Sequence, residues 1–181
     1  METIKKYLLL SPALLGGVVL CFFMNFFTIR CNDQKLASIS GYALVTGKGI
    51  TVNNPMGNMG GEQNSQEAKK MPPNIWALAT LILTLAGIMA HFINPTKRFL
   101  IMAVLAFAAF VSLLLLKSTL LEQILKQQSD AEKAEQIGAM ISVVPEMGYY
   151  LALIGLAGVG VFNALLQKEV APKLKSLINN G

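Results

Sequence analysis

Long runs of apolar residues separated by polar stretches set the pattern along this chain. They occupy positions 7–29, 75–93, 99–116 and 147–166, and none contains Asp, Glu, Lys or Arg. About 20 predominantly apolar residues are needed to cross roughly 30 Å of hydrocarbon at 1.5 Å per residue. All four runs approach or exceed that length, so the pattern predicts a mainly α, integral membrane protein built as a four-transmembrane-helix bundle. The first run follows Lys5 and Lys6 as a secretory signal would. It is too long for a signal core and no small-residue cleavage site follows, so it is expected to be a retained span.

The polar stretches predict a small extracytoplasmic αβ cap. Within loop one, residues 30–74, the run KLASISGYALVTGKGITV at 35–52 is rich in β-branched and aromatic residues and reads as two or three short strands, with turns at Gly41, Gly47 and Gly49. The Gly-, Asn- and Pro-rich run 53–73 is expected to be a mobile loop. In the second external segment, residues 117–146, apolar residues recur at helical spacing. Span three should therefore continue outward to about Gln128, and a second amphipathic helix should begin near Ser129 or Asp130 and end before Pro145.

Composition fits this reading. Apolar residues make up 54% of the chain and charged residues 14%, against roughly a quarter charged in soluble domains. The net charge of +5 could suggest a nucleic-acid partner, but its placement says otherwise. With a cytoplasmic N-terminus, the inside segments 1–6, 94–98 and 167–181 hold seven basic residues against two acidic ones. The outside segments hold eight of each. Basic residues then mark the cytoplasmic side of a cell (plasma or inner) membrane, with both termini inside. The domain plan is the N-terminus and span one at 1–29, loop one at 30–74, and spans two and three with their short turn at 75–116. The outer helical segment at 117–146 and span four with a basic tail at 147–181 complete it.

The candidate chemistry is sparse. The glycines of GYALVTGKG at 41–49 have the wrong spacing for a phosphate loop, and Gly49 stands where that loop needs Ser or Thr. Gly155, Gly158 and Gly160 reverse the order of a dinucleotide fingerprint inside an apolar run. Small residues there serve close helix packing. On span one, Ala13, Gly17 and Cys21 form a row at four-residue spacing, and Gly148 with Ala152 and Gly160 with Ala164 repeat it on span four. Spans one and four are expected to touch each other or copies of themselves. Asn25, Ser112 and Asn163 are polar positions within spans, suited to interhelical hydrogen bonds or to lining a pore. His91 lies near the end of span two, where a headgroup-level role is the expected one. Two cysteines and one His make no zinc site of the usual kind, and no nucleophile with a base is visible.

The layout of four helices, inside termini and a strand-bearing first loop resembles claudin and connexin organisation. It lacks the paired cysteines and the Trp-Gly-Leu-Trp stretch of the former and the three loop cysteines of the latter. Residues 31–47, C-x-x-x-K-x-x-S-x-S-G-Y-x-L-V-T-G, also resemble a first-loop pattern of uncharacterised bacterial four-span membrane proteins. That resemblance implies topology and no activity. The expected function is a non-enzymatic, oligomerising structural or accessory subunit of a membrane complex. Its partners would be the bilayer and itself or other membrane subunits, with no cofactor, metal, nucleotide or nucleic acid. A pore-forming homo-oligomer is the alternative, and a lipid-directed enzyme or carrier using His91 is the third reading. In intact cells a membrane-impermeant maleimide is expected to label Cys31 and spare Cys21; labelling of Cys31 only after lysis would reverse the orientation.

Overall fold

The structure is a computed structural model that describes residues 2–31, 34–48, 51–52, 72–92, 98–126 and 141–169. In chain order the elements are α1 (Glu2–Cys21), β1 (Asn25–Cys31), β2 (Gln34–Ser40), α2 (Gly41–Thr46) and β3 (Thr51–Val52), then α3 (Ile75–Met89) with a 3-10 turn at Ala90–Phe92. They are followed by α4 (Arg98–Lys126), β4 (Ile141–Pro145) and α5 (Met147–Glu169). The described chain is mainly helical. Three helical stretches, Ile75–Phe92, Arg98–Leu120 and Met147–Lys168, are long and apolar enough to cross a membrane.

The fourth expected span is corrected. Helix α1 stops at Cys21, so the uncharged run that begins at Tyr7 is helical over only part of its length and continues, after a turn, into β1. The run 22–29 is dense in Phe and β-branched residues, which favour extended backbone, and a continuous apolar run reads equally well as a buried strand. Asn25 is accordingly the first residue of β1 and exposed, not a polar group inside a helix.

The chain divides into two compact units. The first comprises Met1–Cys21, Ala79–Leu113 and Leu151–Gly181. Its helices pack closely where one side is small. A Cβ added at Gly87 would lie 3.0 Å from the Leu15 side chain, one at Gly155 2.8 Å from that of Val18, and one at Gly160 3.2 Å from the Phe107 ring. Helix α3 shows the pattern most plainly. Its buried positions are Ala77, Thr80, Thr84, Gly87 and, beyond its end, Ala90. Its exposed row of Ile75, Leu78, Ile82, Leu85 and Met89, continued by Phe92, is uniformly large and apolar. A water-soluble helix is ordered the other way round, with its large apolar residues inward. Small faces inward and large apolar faces outward suit a lipid solvent, which gives helices no hydrophobic reason to associate but rewards close backbone approach.

The second unit comprises Phe22–Leu78 and Leu114–Tyr150. It holds an antiparallel sheet of order β3-β2-β1-β4, three strands of five to seven residues with the two-residue β3 at one edge. Strand β1 is central, pairing Phe27 with Ile39 on one side and with Pro145 on the other. Pro145 is tolerated because β4 is an edge strand and needs no N–H there. Residues 141–145 were expected to be helical; their β-branched ISVV run pairs with β1 instead. The expected continuation of span three is present, since α4 reaches Lys126. The second outer helix and the loop 53–71 lie outside the described residues.

The GYALVT run, expected as a strand, is the helix α2. Ser40 caps it, its hydroxyl accepting from the Ala43 N–H at 3.1 Å, and Gly47 ends it at φ 70° with its N–H on the Ala43 carbonyl. Ser40 therefore competes successfully for a helix start, and only Gly accepts the left-handed end cheaply. Gly41 is not a turn but the first helical residue, pressed so near α1's exit that an added Cβ would lie 2.9 Å from the Phe22 Cα. Gly49 lies outside the described residues.

Gly148 meets the backbone in the same way, with an added Cβ 2.7 Å from the Asn25 carbonyl oxygen and 2.8 Å from the Met24 Cβ. Gly158, by contrast, has nothing within 4 Å. Gly148→Ala should lower stability by about 1–3 kcal/mol through overpacking, whereas Gly158→Ala should raise it by roughly 0.5–1 kcal/mol. Thermal midpoints in mild detergent check the pair, and shifts of the same sign would contradict this packing.

Candidate functional site

Two junctions in the second unit bring buried and part-buried polar side chains together. At the first, β4 runs into α5 through the single residue Glu146. Pairing of β4 with β1 places its N–H 2.8 Å from the Phe26 carbonyl. Its own carbonyl accepts from the N–H groups of Tyr149 at 3.1 Å and Tyr150 at 3.4 Å, opening the helix. A carboxylate is favoured at a helix start, where unpaired N–H groups carry partial positive charge. The Glu146 carboxylate accepts a 2.6 Å hydrogen bond from the Thr28 hydroxyl and lies 3.8 Å from the Lys35 ammonium. Thr28 is fully buried, and Phe26, Phe27 and Tyr149 pack together beside it with ring centroids 5.1 to 6.5 Å apart. A hydroxyl so enclosed is out of reach of a substrate. Its chemistry here is to orient Glu146.

At the second junction Asn74 precedes α3 and is almost wholly buried. Its Oδ1 accepts from the N–H groups of Trp76 and Ala77 at 2.9 and 3.3 Å, which caps the helix. Its Nδ2 donates to Gln123 Oε1 of α4 at 2.7 Å, and its backbone N–H donates to the Leu44 carbonyl of α2 at 2.8 Å. One side chain thus ties α3 to α4, while the adjoining backbone ties it to α2.

In the first unit Ser11 donates to Asn163 Oδ1 at 3.0 Å, joining α1 to α5 across 152 positions of sequence, and Asn163 Nδ2 donates to the Val159 carbonyl at 2.9 Å. Both residues are buried, and an unmatched amide in such surroundings would cost several kcal/mol. Ser112 is also buried. Ala152 is buried and Ala164 half-buried on α5, while Ala13 and Gly17 on α1 are exposed and Cys21 half-exposed. His91 sits half-buried in the 3-10 turn with its ring edge-on to Phe92. Among the described residues no three His, Cys, Asp or Glu side chains come together as a metal site.

Sequence reasoning passed over Ser11, Thr28, Asn74 and Glu146. Asn74 carried a usable signal, an N-cap residue directly before an apolar helix and after two prolines. Thr28 and Glu146 carried none, since their pairing depends on strands 118 positions apart. Comparison with protein-family models, with curated proteins and with solved structures gives no match to this chain.

Thr28→Val should lower stability by about 1–3 kcal/mol, because it strips a partly buried carboxylate of its hydroxyl donor. Thr28→Ser should restore most of the loss, and Lys35→Met should change it by less than about 1 kcal/mol, as expected of a half-exposed ion pair. Unfolding midpoints in detergent separate these outcomes, and a Lys35→Met loss larger than that of Thr28→Val would reverse the assigned order.

Proposed function

We propose that the chain is a multi-pass membrane protein that acts as a non-enzymatic, oligomerising structural or accessory subunit through the small-residue face of α1. The observation that carries this reading is a contrast among small residues. Gly87, Gly155 and Gly160 are filled by side chains of neighbouring helices, whereas Gly16 and Gly17 have nothing within 4 Å and Ala13 is exposed. A small-residue row left open on an apolar helix suits the close approach of a second helix from another copy or subunit. The charge distribution supports cytoplasmic termini and an extracytoplasmic sheet.

The pore alternative draws less support, because Asn163 is committed to Ser11 and Val159 and Asn25 lies in a strand. The lipid-directed reading rests on His91 alone, half-buried in the 3-10 turn after α3, with no second candidate group set beside it among the described residues.

Cys21 extends the open row and supplies its own reporter. A disulfide requires Cα atoms within about 7 Å, so it forms only where two α1 helices meet closely. In a Cys31→Ser background, mild oxidation of native membranes should yield a Cys21-linked dimer, and Gly17→Leu should abolish it while leaving expression intact. A monomer in every case, with no co-purifying membrane partner after mild solubilisation, would overturn the proposal.

A further inference from the structure

The second unit carries aromatic residues that are exposed even though the unit has an aromatic core. Phe23 is 67% exposed, Tyr42 51% and Tyr150 49%. Each lies within about a turn of a helix end or on α2. Phe23 follows the last residue of α1 by two positions, Tyr150 is the fourth residue of α5, and the half-buried Trp76 is the second residue of α3. Hydrogen bonds hold these ends together within the unit. The Tyr42 N–H donates to the Phe22 carbonyl at 2.7 Å, the Asn74 N–H donates to the Leu44 carbonyl at 2.8 Å, and Gly148 presses on Met24 and Asn25.

Helix α2 has two unlike sides. Ala43 and Leu44 are buried, while Tyr42 is turned out and stacked on Phe23, with ring centroids 6.0 Å apart and planes 15° from parallel. Half-buried Thr46 ends the helix, and the exposed Lys48 follows its Gly47 cap. An exposed tyrosine with a polar tip, stacked on an exposed phenylalanine, fits the boundary between headgroups and acyl chains.

We infer that α2 and the Phe23–Tyr42 stack lie in the membrane–water interface, where with Trp76 and Tyr150 they form an aromatic belt against the headgroup region of the bilayer. The argument for lipid as the occupant is continuity. The belt residues Trp76 and Tyr150 belong to stretches, Ile75–Phe92 and Met147–Lys168, that are long and apolar enough to span. Any bilayer around those stretches therefore reaches its boundary at the belt, and Tyr42 is fastened to the same layer by α2's hydrogen bonds. The inference rests on the membrane-spanning reading of α3 and α5 and adds that loop one touches lipid.

Trp76 is the chain's single tryptophan, so the protein supplies its own depth probe. The full chain is reconstituted in phosphatidylcholine liposomes brominated at shallow or deep acyl positions. Native Trp76 fluorescence should be quenched about twofold more by the shallow bromines, as befits interfacial aromatics. In a Tyr42→Trp variant on a Trp76→Phe background, the same shallow preference is expected, with little quenching by aqueous iodide. A Phe23→Trp variant on that background provides the second reading should the first fail to fold. Shallow quenching of Trp76 with iodide quenching alone at position 42 or 23 would place loop one in water and overturn the inference while leaving the spans intact. Shielding of that position from both quenchers would mean that protein covers it, which overturns the inference equally. No lipid quenching of Trp76 either would remove the spans themselves.

Discussion

Backbone leaving an apolar helix must find partners for its N–H and C=O groups, because each one left unpaired away from water costs as much as a lost hydrogen bond. Strand β1 meets that requirement for much of the sheet-bearing unit. It lies between β2 and β4, so both of its edges are paired, and Phe26, Phe27 and Thr28 are completely enclosed. The Phe26 carbonyl takes the N–H of Glu146 and the Thr28 hydroxyl holds the Glu146 carboxylate, which fixes how α5 begins. The Phe22 and Met24 carbonyls, in the turn before β1, take the first N–H groups of α2. With β1 removed, β2 and β4 lose their shared partner and α5 loses its starting contact.

The helices obey a different constraint. Where the surrounding medium is as apolar as leucine, burying leucine gains little, and what remains is contact between surfaces that fit. The row of Ala77, Thr80, Thr84 and Gly87 on α3 offers such a surface, and so do Gly155 against Val18 and Gly160 against Phe107. The Ser11–Asn163 bond adds a directional contact to this steric fit. Hydrogen bonds of this kind contribute on the order of 1 kcal/mol in membranes, so the pair sets orientation more than it sets stability.

Much of this was legible in the residues. Uncharged runs identified the three helices long and apolar enough to cross a membrane, and the 35–52 composition correctly placed strand in that segment. Where the reading failed, composition was ambiguous in a definable way. The run 22–29 is apolar enough for a span, and only its phenylalanines and β-branched residues hinted at a strand. GYALVT has the residues of a strand, but Ser40 and Gly47 supplied a cap at each end, and capping prevailed over β propensity. The ISVV stretch looked helical because its neighbours did, and its partner β1 is distant in sequence. The small-residue rows were visible as rows, but which glycines would be filled, as Gly155 is, and which left open, as Gly17 is, depends on the facing helix.

The lateness of β4 has a consequence for biogenesis. Thr28 and Glu146 are 118 residues apart, and at roughly 5–20 residues per second of synthesis that separation is on the order of 10 s. The β1–β2 hairpin is complete long before then. Throughout that interval one edge of β1 offers unpaired N–H and C=O groups, an invitation to any other extended segment nearby. Only the arrival of β4 closes that edge.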